Sequence, residues 1–364
     1  MSGIVWLGLL GYLQRDRVLT GQNDFAQLYA GAKLSGTPDL YVPEASFRVH
    51  DQALGARLDG VVYVRPPFYA FLLKPLGQLP YLRAYWIYQS VNLLVLAWWW
   101  YSFARRSEEL SLFASLFPPL LAGVLTGQDV NLVLALAGLG YRLREKDKPF
   151  AAGLAWSLCS IKAHLLLFVP LALVLKREWR TLGGGLTGGA LLMGISFLTA
   201  GARWPMEYFE LLRNPLIHPE LDHMANLQPI AILLPETVRP WVIRTGWVLV
   251  AALVAWVARR WPDWKLPFAA ALAASILGAY HAYLQDCVLL LLVFAIVQTA
   301  TKDKLAMRTL AWVCCPLPSL LLLAGSPWSM AMPLSLVVLL WTLGRAKPSV
   351  LGQPDLAPAQ LAET

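Results

Sequence analysis

The chain has 364 residues, of which 57% are hydrophobic and 14% charged, and it carries a formal net charge of +8. A soluble protein has about a quarter of its residues charged, so the composition excludes that class and predicts a polytopic membrane protein. Apolar segments of about 20 residues, enough to cross the bilayer core as a helix, recur from Ala84 to Leu343. The alternation of polar and apolar residues that is typical of a membrane β-barrel is not seen.

Basic residues form short clusters between the apolar segments, so the positive charge indicates membrane topology and not a nucleic-acid partner. With every cluster placed in the cytoplasm, the chain follows one consistent path and both termini are cytoplasmic. The clusters are Arg105 and Arg106, Arg142 to Lys148, Lys176 to Arg180, Arg259 and Arg260, Lys302 and Lys304, and Arg345 and Lys347. The path predicts about twelve transmembrane helices, at 1–13, 84–103, 110–126, 129–142, 149–161, 164–176, 182–200, 240–258, 265–280, 284–300, 307–324 and 328–343.

Two long segments, residues 14–83 and 201–239, lie on the outer side in this topology. The first contains RPPFYAFLLKPLGQLP, which is too short and too rich in proline to span, and predicts an amphipathic helix at the membrane interface. Residues 1–344 are expected to form one all-α membrane domain, followed by a disordered cytoplasmic tail at 345–364. Residues 1–13 lack a cleavage site and predict an abbreviated first helix rather than a signal peptide.

Three further patterns predict packing rather than chemistry. GGGLTGG at residues 183–189 follows no strand, so close helix packing through small residues is favoured over a nucleotide-binding loop. The four cysteines lie in apolar stretches without CxxC spacing, which predicts neither a disulfide framework nor a zinc site. His218 and His223 lie beside acids but lack the helical HxxxH spacing, so no metal site is assigned and no cofactor is expected.

Polar and ionisable residues collect at the outer ends of the predicted helices. Such groups at or near membrane depth are costly and are usually functional, and they can meet only if the helices form one bundle with a cavity at that face. Lys162 in SIKAH is the clearest case, because it lies between two apolar helices. The set is Asp24, Arg65, Gln128, Asn131, Lys162, His164, His218, His223, Asn226, Gln228, His281 and Asp286.

Each of these residues also has a structural interpretation. Asp24 could cap a helix that begins near Phe25, although function is favoured because acids near the membrane are scarce in this segment. Lys162 could extend its ammonium to the surface, and His281 could be a satisfied interfacial imidazole. The amides of TGQDVN could serve only to hydrogen-bond the start of a helix.

Five motifs in fixed order resemble one family. They are NDFAQLYAGAKLSGTPDLY, YVRPPFYAFLLKPLGQLP, TGQDVN, SIKAH and YHAYLQD, and they extend from Asp24 to the helix after Asp286. This set resembles the glycosyltransferase family 87 proteins, once known only as a domain of unknown function. Members with known activity resemble the polyprenol-phosphate-mannose-dependent mannosyltransferases of the integral-membrane GT-C class. The resemblance therefore implies a GT-C fold and a sugar donor carried on a lipid phosphate, used on the outer side of the membrane.

The resemblance also implies roles for residues at matching positions. Asp24 in the NDF motif corresponds to the family's proposed catalytic base. Two departures are present: Ala279 and Tyr280 precede the late histidine where the family often has Ser-Pro, and the region of Asn226 matches only loosely. The other matches are Pro66 and Pro67, Gly127 and Gln128, Lys162, His281 and Asp286. We assign the donor phosphate to Lys162, Arg65 and His281, and further substrate contacts to Gln128, Asn131, His164, Asn226, Asp286 and Tyr63.

The expected activity is transfer of a sugar, mannose by the family precedent, to a lipid or glycan acceptor at the outer face of a bacterial inner membrane. A phosphate leaving group departs as an anion and needs cationic or hydrogen-bonding partners. One carboxylate then suffices to take the acceptor proton, which predicts a single displacement with inversion at the anomeric carbon. A secondary transporter and a lipid-linked polysaccharide ligase are the alternatives.

Overall fold

The computed structural model describes residues 12, 14–58, 60–214, 217 and 220–346, and this part of the chain is helical and contains no β-strand. Short 3₁₀ segments join several of the helices, notably at Leu158–Leu166 and Leu284–Leu289. The predicted first helix at 1–13, apart from residue 12, and the predicted tail at 345–364, apart from residues 345 and 346, lie outside the described residues. In chain order the α-helices are α1 (Arg15–Thr20), α2 (Phe25–Leu34), α3 (Pro43–Leu54), α4 (Pro67–Gly77), α5 (Tyr81–Ser102), α6 (Glu108–Leu116), α7 (Pro118–Leu125), α8 (Val130–Glu145), α9 (Pro149–Ser157), α10 (Val169–Leu175), α11 (Trp179–Ala200), α12 (Trp204–Leu212), α13 (Gln228–Ala231), α14 (Arg239–Arg260), α15 (Lys265–Gly278), α16 (Leu290–Ala300), α17 (Lys304–Cys314), α18 (Pro316–Leu321) and α19 (Ala331–Arg345).

Residues 14–83, the segment predicted to lie on the outer side and here called the outer unit, form a packed helical unit, α1 to α4. Its helix α4 falls within the stretch predicted to be an amphipathic helix. Helix α4 packs closely on α2 because Gly77 lies against the Ala32 backbone, where a Cβ atom would come within 2.7 Å of the Ala32 carbonyl carbon. Aromatic side chains fill this unit, and burying them stabilises it without a longer helix. They include Phe25, Tyr29, Tyr41, Tyr63, Phe68, Tyr69, Tyr81, Tyr85 and Tyr88.

Two of the predicted spans, 110–126 and 307–324, are broken where the chain bends. Helices α6 and α7 meet at 50° and α17 and α18 at 45°. In both cases the second helix begins with a proline, Pro118 or Pro316, which lacks the N–H needed to continue the preceding helix. A third bend, of 108°, separates Pro149–Leu166 from α10, in the region where the sequence predicts two helices, at 149–161 and 164–176.

The described helices do not confirm twelve spans. Three are long and apolar enough to cross a membrane, namely α11, α14 and Trp328–Arg345, and up to six qualify if each bent pair counts as one span. Helix α15 is entirely buried from Leu266 to Gly278 and forms the centre of the larger hydrophobic core. Helices α10, α14, α16 and α19 pack around it.

Three of the predicted cytoplasmic clusters, those at 142–148, 176–180 and 259–260, meet at one end of the bundle. The Arg144 guanidinium pairs with Glu178 at 2.8 Å, and Lys265 Nζ lies 3.3 Å from Glu145. Lys176 Nζ donates to the Trp261 carbonyl at 2.6 Å. Helix α8 has 16 residues and ends at this basic end, so its first residue lies about 24 Å away, at the other end of the bundle.

The prediction for GGGLTGG is confirmed by the contact between α9 and α11. A Cβ atom on Gly184 would lie 2.0 Å from the Phe150 carbonyl oxygen, and one on Gly188 would lie 2.1 Å from Ser157 Oγ. Only glycine permits two helix backbones to approach this closely. The contact fixes α9, and with it the chain that leads to Lys162.

Candidate active site

Asp24 lies in the turn before α2, at the start of the outer helical unit. Its side chain makes no capping hydrogen bond. The neighbouring Asn23 serves the turn instead: its Oδ1 accepts from Phe25 N at 3.1 Å, and its Nδ2 contacts the Tyr85 hydroxyl and the Leu125 carbonyl. The capping interpretation of Asp24 therefore fails, and the side chain of this partly exposed residue is left for another use.

The TGQDVN motif forms a tight turn between α7 and α8 that faces Asp24. Gly127 has a φ of +65°, and a Cβ there would lie 3.0 Å from Phe25 Cβ, so the turn favours glycine on both conformational and steric grounds. The turn aims the Gln128 side chain at Asp24, and Gln128 Nε2 donates to Asp24 Oδ2 at 2.7 Å. The next residue, Asp129, is fully buried.

Arg65 binds Asp129 through two nitrogens of its guanidinium, Nε and Nη2, while Nη1 donates to the Val64 carbonyl at 3.2 Å. Arg65 Nε donates to Asp129 Oδ2 at 2.7 Å and Nη2 donates to Asp129 Oδ1 at 3.1 Å. The same Nη2 lies 3.5 Å from Gln128 Oε1. The two-point geometry fixes the plane of the guanidinium, so the segment before α4 is locked to the start of α8.

Lys162 reaches the cluster from the bent segment after α9. Its backbone is non-helical, with φ −130° and ψ 66°, and its side chain is buried. Lys162 Nζ donates to Asp286 Oδ1 at 2.7 Å and lies 3.7 Å from Asp129 Oδ1. Asp286 also accepts from the backbone N–H of Tyr283 at 3.0 Å. The structural interpretation of Lys162, in which its ammonium extends to the surface, is therefore wrong.

Two histidines border the ion-paired residues. The rings of His164 and His281 are 6.3 Å apart and nearly perpendicular, and His164 Nε2 is buried without a hydrogen-bond partner. His281 is partly exposed, and its ring packs edge-on against Tyr283 with the centroids 4.5 Å apart. His281 therefore presents a partly exposed imidazole at the edge of the cluster, whereas His164 Nε2 is buried.

The surroundings shift the pKa of two groups that lie outside the apolar helices. Burial raises the pKa of Asp24 above its usual value, against the lowering effects of the Gln128 hydrogen bond and of Lys162 and Arg65. Burial, together with the Lys162 and Arg65 cations, lowers the pKa of His281 to about 4, despite the opposing effect of Asp286. His281 is therefore neutral at pH 7, and Asp24 is a stronger base than an ordinary aspartate.

The structure brings seven of the predicted site residues together. The other three, Tyr63, Asn226 and Asn131, do not join this cluster. The Tyr63 hydroxyl donates to the Pro66 carbonyl at 2.9 Å, and its ring packs on Gly31. Asn226 donates to the Ala279 carbonyl at 2.9 Å, which braces the chain before His281. The side chain of Asn131 is buried without a partner. The residues that converge are Asp24, Arg65, Gln128, Lys162, His164, His281 and Asp286.

Sequence reasoning missed Asp129. The residue lies within the quoted TGQDVN motif, and a charge that directly precedes an apolar helix was the available signal. Its importance comes from its place in space, since it contacts Arg65 and Lys162, which are distant in sequence.

No group of three or more His, Cys, Asp or Glu side chains with the geometry to hold a metal ion occurs among the described residues. His223, one of the two histidines considered as metal ligands, hydrogen-bonds the Leu322 carbonyl at 2.8 Å. His218 lies outside the part of the chain that the structure describes.

Two cavities lie away from the cluster. One, of about 710 Å³, follows the exposed face of α5 and is lined by Leu82 and Trp86. The other, of about 230 Å³, lies at the basic end, beside Arg142.

The fold and the site define a class: a helical, multi-pass membrane protein with acids, cations and histidines gathered at one end of its bundle. The chain belongs to glycosyltransferase family 87, whose family model matches residues 63–285. It is therefore a membrane glycosyltransferase, which favours the enzyme over the transporter. The match includes Arg65, Gln128, Lys162 and His281, whereas Asp24 and Asp286 lie outside it. No curated protein and no solved structure matches the chain.

Proposed function

We propose that the protein transfers a sugar, mannose by the family precedent, from a polyprenyl-phosphate donor to a lipid or glycan acceptor. The reaction takes place at the outer face of a bacterial inner membrane, with Asp24 as the general base. No metal ion or other cofactor takes part in this proposal. The single observation that supports it best is the environment of Asp24, which combines a fixed orientation, partial exposure and a raised pKa.

Asp24 meets the geometric requirement for a base. Gln128 holds its Oδ2, and no hydrogen bond to its Oδ1 is found among the described residues. A carboxylate with a raised pKa accepts a proton more strongly than an ordinary one. Oδ1 can therefore receive the proton of an acceptor hydroxyl.

The chemistry balances with one carboxylate. The acceptor oxygen attacks the anomeric carbon, its proton passes to Asp24, and the bond from the anomeric carbon to the phosphate oxygen breaks. The electron pair of that bond leaves with the polyprenyl phosphate. A single displacement of this kind inverts the anomeric configuration, and no second carboxylate acts as a nucleophile.

The leaving phosphate is placed beside His281, with Lys162 and Arg65 behind it. His281 is neutral at pH 7, so its ring N–H can donate to a phosphate oxygen without a fixed charge. Lys162 has three N–H donors, of which Asp286 takes one at 2.7 Å. The two cations, already partly neutralised by Asp129 and Asp286, respond to the extra negative charge that develops as the bond breaks.

The outer location is supported by the separation of charge along the bundle. The basic clusters meet at the far end of α8, and the cytoplasmic side is the side that carries excess Lys and Arg. The site lies at the opposite end of that helix. A donor on a lipid phosphate reaches such a site through the bilayer.

The substitution Asp24→Asn tests the proposal. Asn keeps the size of the side chain and an oxygen that can accept from Gln128, but it cannot take a proton. Purified protein should lose about 100- to 10,000-fold of its transfer of radiolabelled mannose from polyprenyl phosphate to a membrane lipid extract. The matched control is Asp39→Asn, because Asp39 lies in the same outer unit with its side chain 50% exposed. Full activity in the Asp24→Asn protein would remove Asp24 from the role of base.

A further inference from the structure

Asp129 is a fully buried acid of the cluster, and its only part in the proposed mechanism is to neutralise the cations. Its relative exposure is 0%. Oδ2 accepts from Arg65 Nε, and Oδ1 accepts from Arg65 Nη2 and lies 3.7 Å from Lys162 Nζ. With both oxygens occupied and no exposed surface, Asp129 cannot touch a substrate. Any effect that it has on the reaction must pass through Arg65 or Lys162.

The Gln128 side chain links Arg65 to Asp24. Its Nη2 lies 3.5 Å from Gln128 Oε1, and Gln128 Nε2 lies 2.7 Å from Asp24 Oδ2. Arginine can only donate and a carboxylate can only accept, which fixes the orientation of the Gln128 amide between them. One neutral amide therefore separates a guanidinium from the proposed base.

The arrangement matters because a direct Arg65–Asp24 ion pair would disable a base. A carboxylate beside an arginine has its pKa lowered by 1–3 units, and its oxygens are occupied by N–H groups. The charged groups that act on Asp24 are Lys162, Arg65 and Asp129, each from a different segment. Asp129 counters both of the cations.

We infer that Asp129 is a positioning residue that keeps Arg65 paired away from Asp24, so that Gln128 rather than a cation holds the base. This inference rests on the proposed role of Asp24. It assigns Asp129 to the reaction although it lies outside substrate contact, and it explains why two hydrogen bonds to Asp129 hold the Arg65 guanidinium.

The pH dependence of kcat for the Asp129→Asn protein tests the inference. In the unsubstituted protein, activity falls as Asp24 is protonated. Because the pKa of Asp24 is raised, the acid limb of the pH profile, where kcat falls with falling pH, lies above the pH expected for an ordinary aspartate. Without the Asp129 charge, Arg65 is free to pair with Asp24. The acid limb should then move to lower pH by about one unit, and the plateau kcat should fall because the base is weaker.

Two further variants separate charge from structure. Asp129→Glu retains the charge and should keep an acid limb near that of the unsubstituted protein. The double variant Arg65→Gln with Asp129→Asn removes the cation as well, and its acid limb should return to higher pH even if its overall activity is low. Damage to the fold alone would lower the activity of all three variants without this pattern.

The outcomes distinguish the inference from the proposed function. If Asp24→Asn abolishes transfer but the acid limb of Asp129→Asn stays in place or moves upward, the inference fails and Asp24 remains the base. If Asp24→Asn retains transfer, both fail. A downward shift that the double variant reverses supports both.

Discussion

Gly127 shows how one residue without a side chain fixes the site. Its φ of +65° and the 3.0 Å approach to Phe25 Cβ both act on the turn that carries Gln128 and Asp129. Gly127→Ala should destabilise the fold by about 1–2 kcal/mol through the left-handed conformation. It should also slow transfer at least about tenfold, because the turn must shift. A tenfold loss corresponds to an increase of about 1.4 kcal/mol in the activation free energy.

Gly55 provides the matched control for this prediction. It has nearly the same φ, +64°, but nothing lies within 4 Å of a Cβ placed there. Thermal unfolding should show a similar loss of stability in Gly55→Ala, while its transfer activity stays unchanged. Equal activity losses in the two variants would show that strain alone, and not the placement of Gln128, lowers the rate.

The sequence predicted the members of the site better than their partners. Asp24, Lys162 and His281 could be selected because charges and imidazoles beside apolar helices are costly. The pairing of Lys162 with Asp286 and of Arg65 with Asp129 depends on segments that are 124 and 64 residues apart in sequence. No local pattern contains that information, and for this reason Asp129 was overlooked.

The contact between α9 and α11 supports the site from a distance. Gly184 faces Phe150 with no room for a Cβ, whereas its neighbour Gly183 faces open space. Gly184→Ala should force the helices apart and lower the free energy of unfolding by about 1–3 kcal/mol. The loss would be measured as a lower unfolding temperature in detergent. Gly183→Ala should be neutral or stabilising by up to about 1 kcal/mol, since alanine favours the helix. Equal effects of the two substitutions would contradict this packing.

Helix positions were predicted well where hydrophobic runs were long, as in α5, α11 and α14. The predicted and observed helix bounds differ at the two broken spans and in the outer unit. Pro118 and Pro316 end one helix and begin the next, but a proline in an apolar run can also merely kink a helix. The helices of segment 14–83 are held by buried aromatic rings, such as Phe25 against Tyr81 with centroids 5.6 Å apart, and these contacts follow from tertiary packing rather than from periodicity.

At the scale of the whole molecule, two hydrophobic cores meet at the site. Phe25, next to Asp24, belongs to the aromatic core of the outer unit. Val130, next to Asp129, belongs to the core of the main bundle. The Arg65–Asp129 ion pair and the hydrogen bond from Gln128 to Asp24 connect the outer unit to the main bundle, so contacts that shape the site also join these two parts of the chain.

The donor is the central claim about the whole molecule, and one measurement tests it most directly. Purified protein with a membrane lipid extract as acceptor would be given the same radiolabelled mannose either as polyprenyl-phosphate mannose or as a nucleoside-diphosphate mannose. The account predicts labelled product and released polyprenyl phosphate with the lipid donor, and no product with the nucleotide donor. Transfer from the nucleotide donor alone would contradict it.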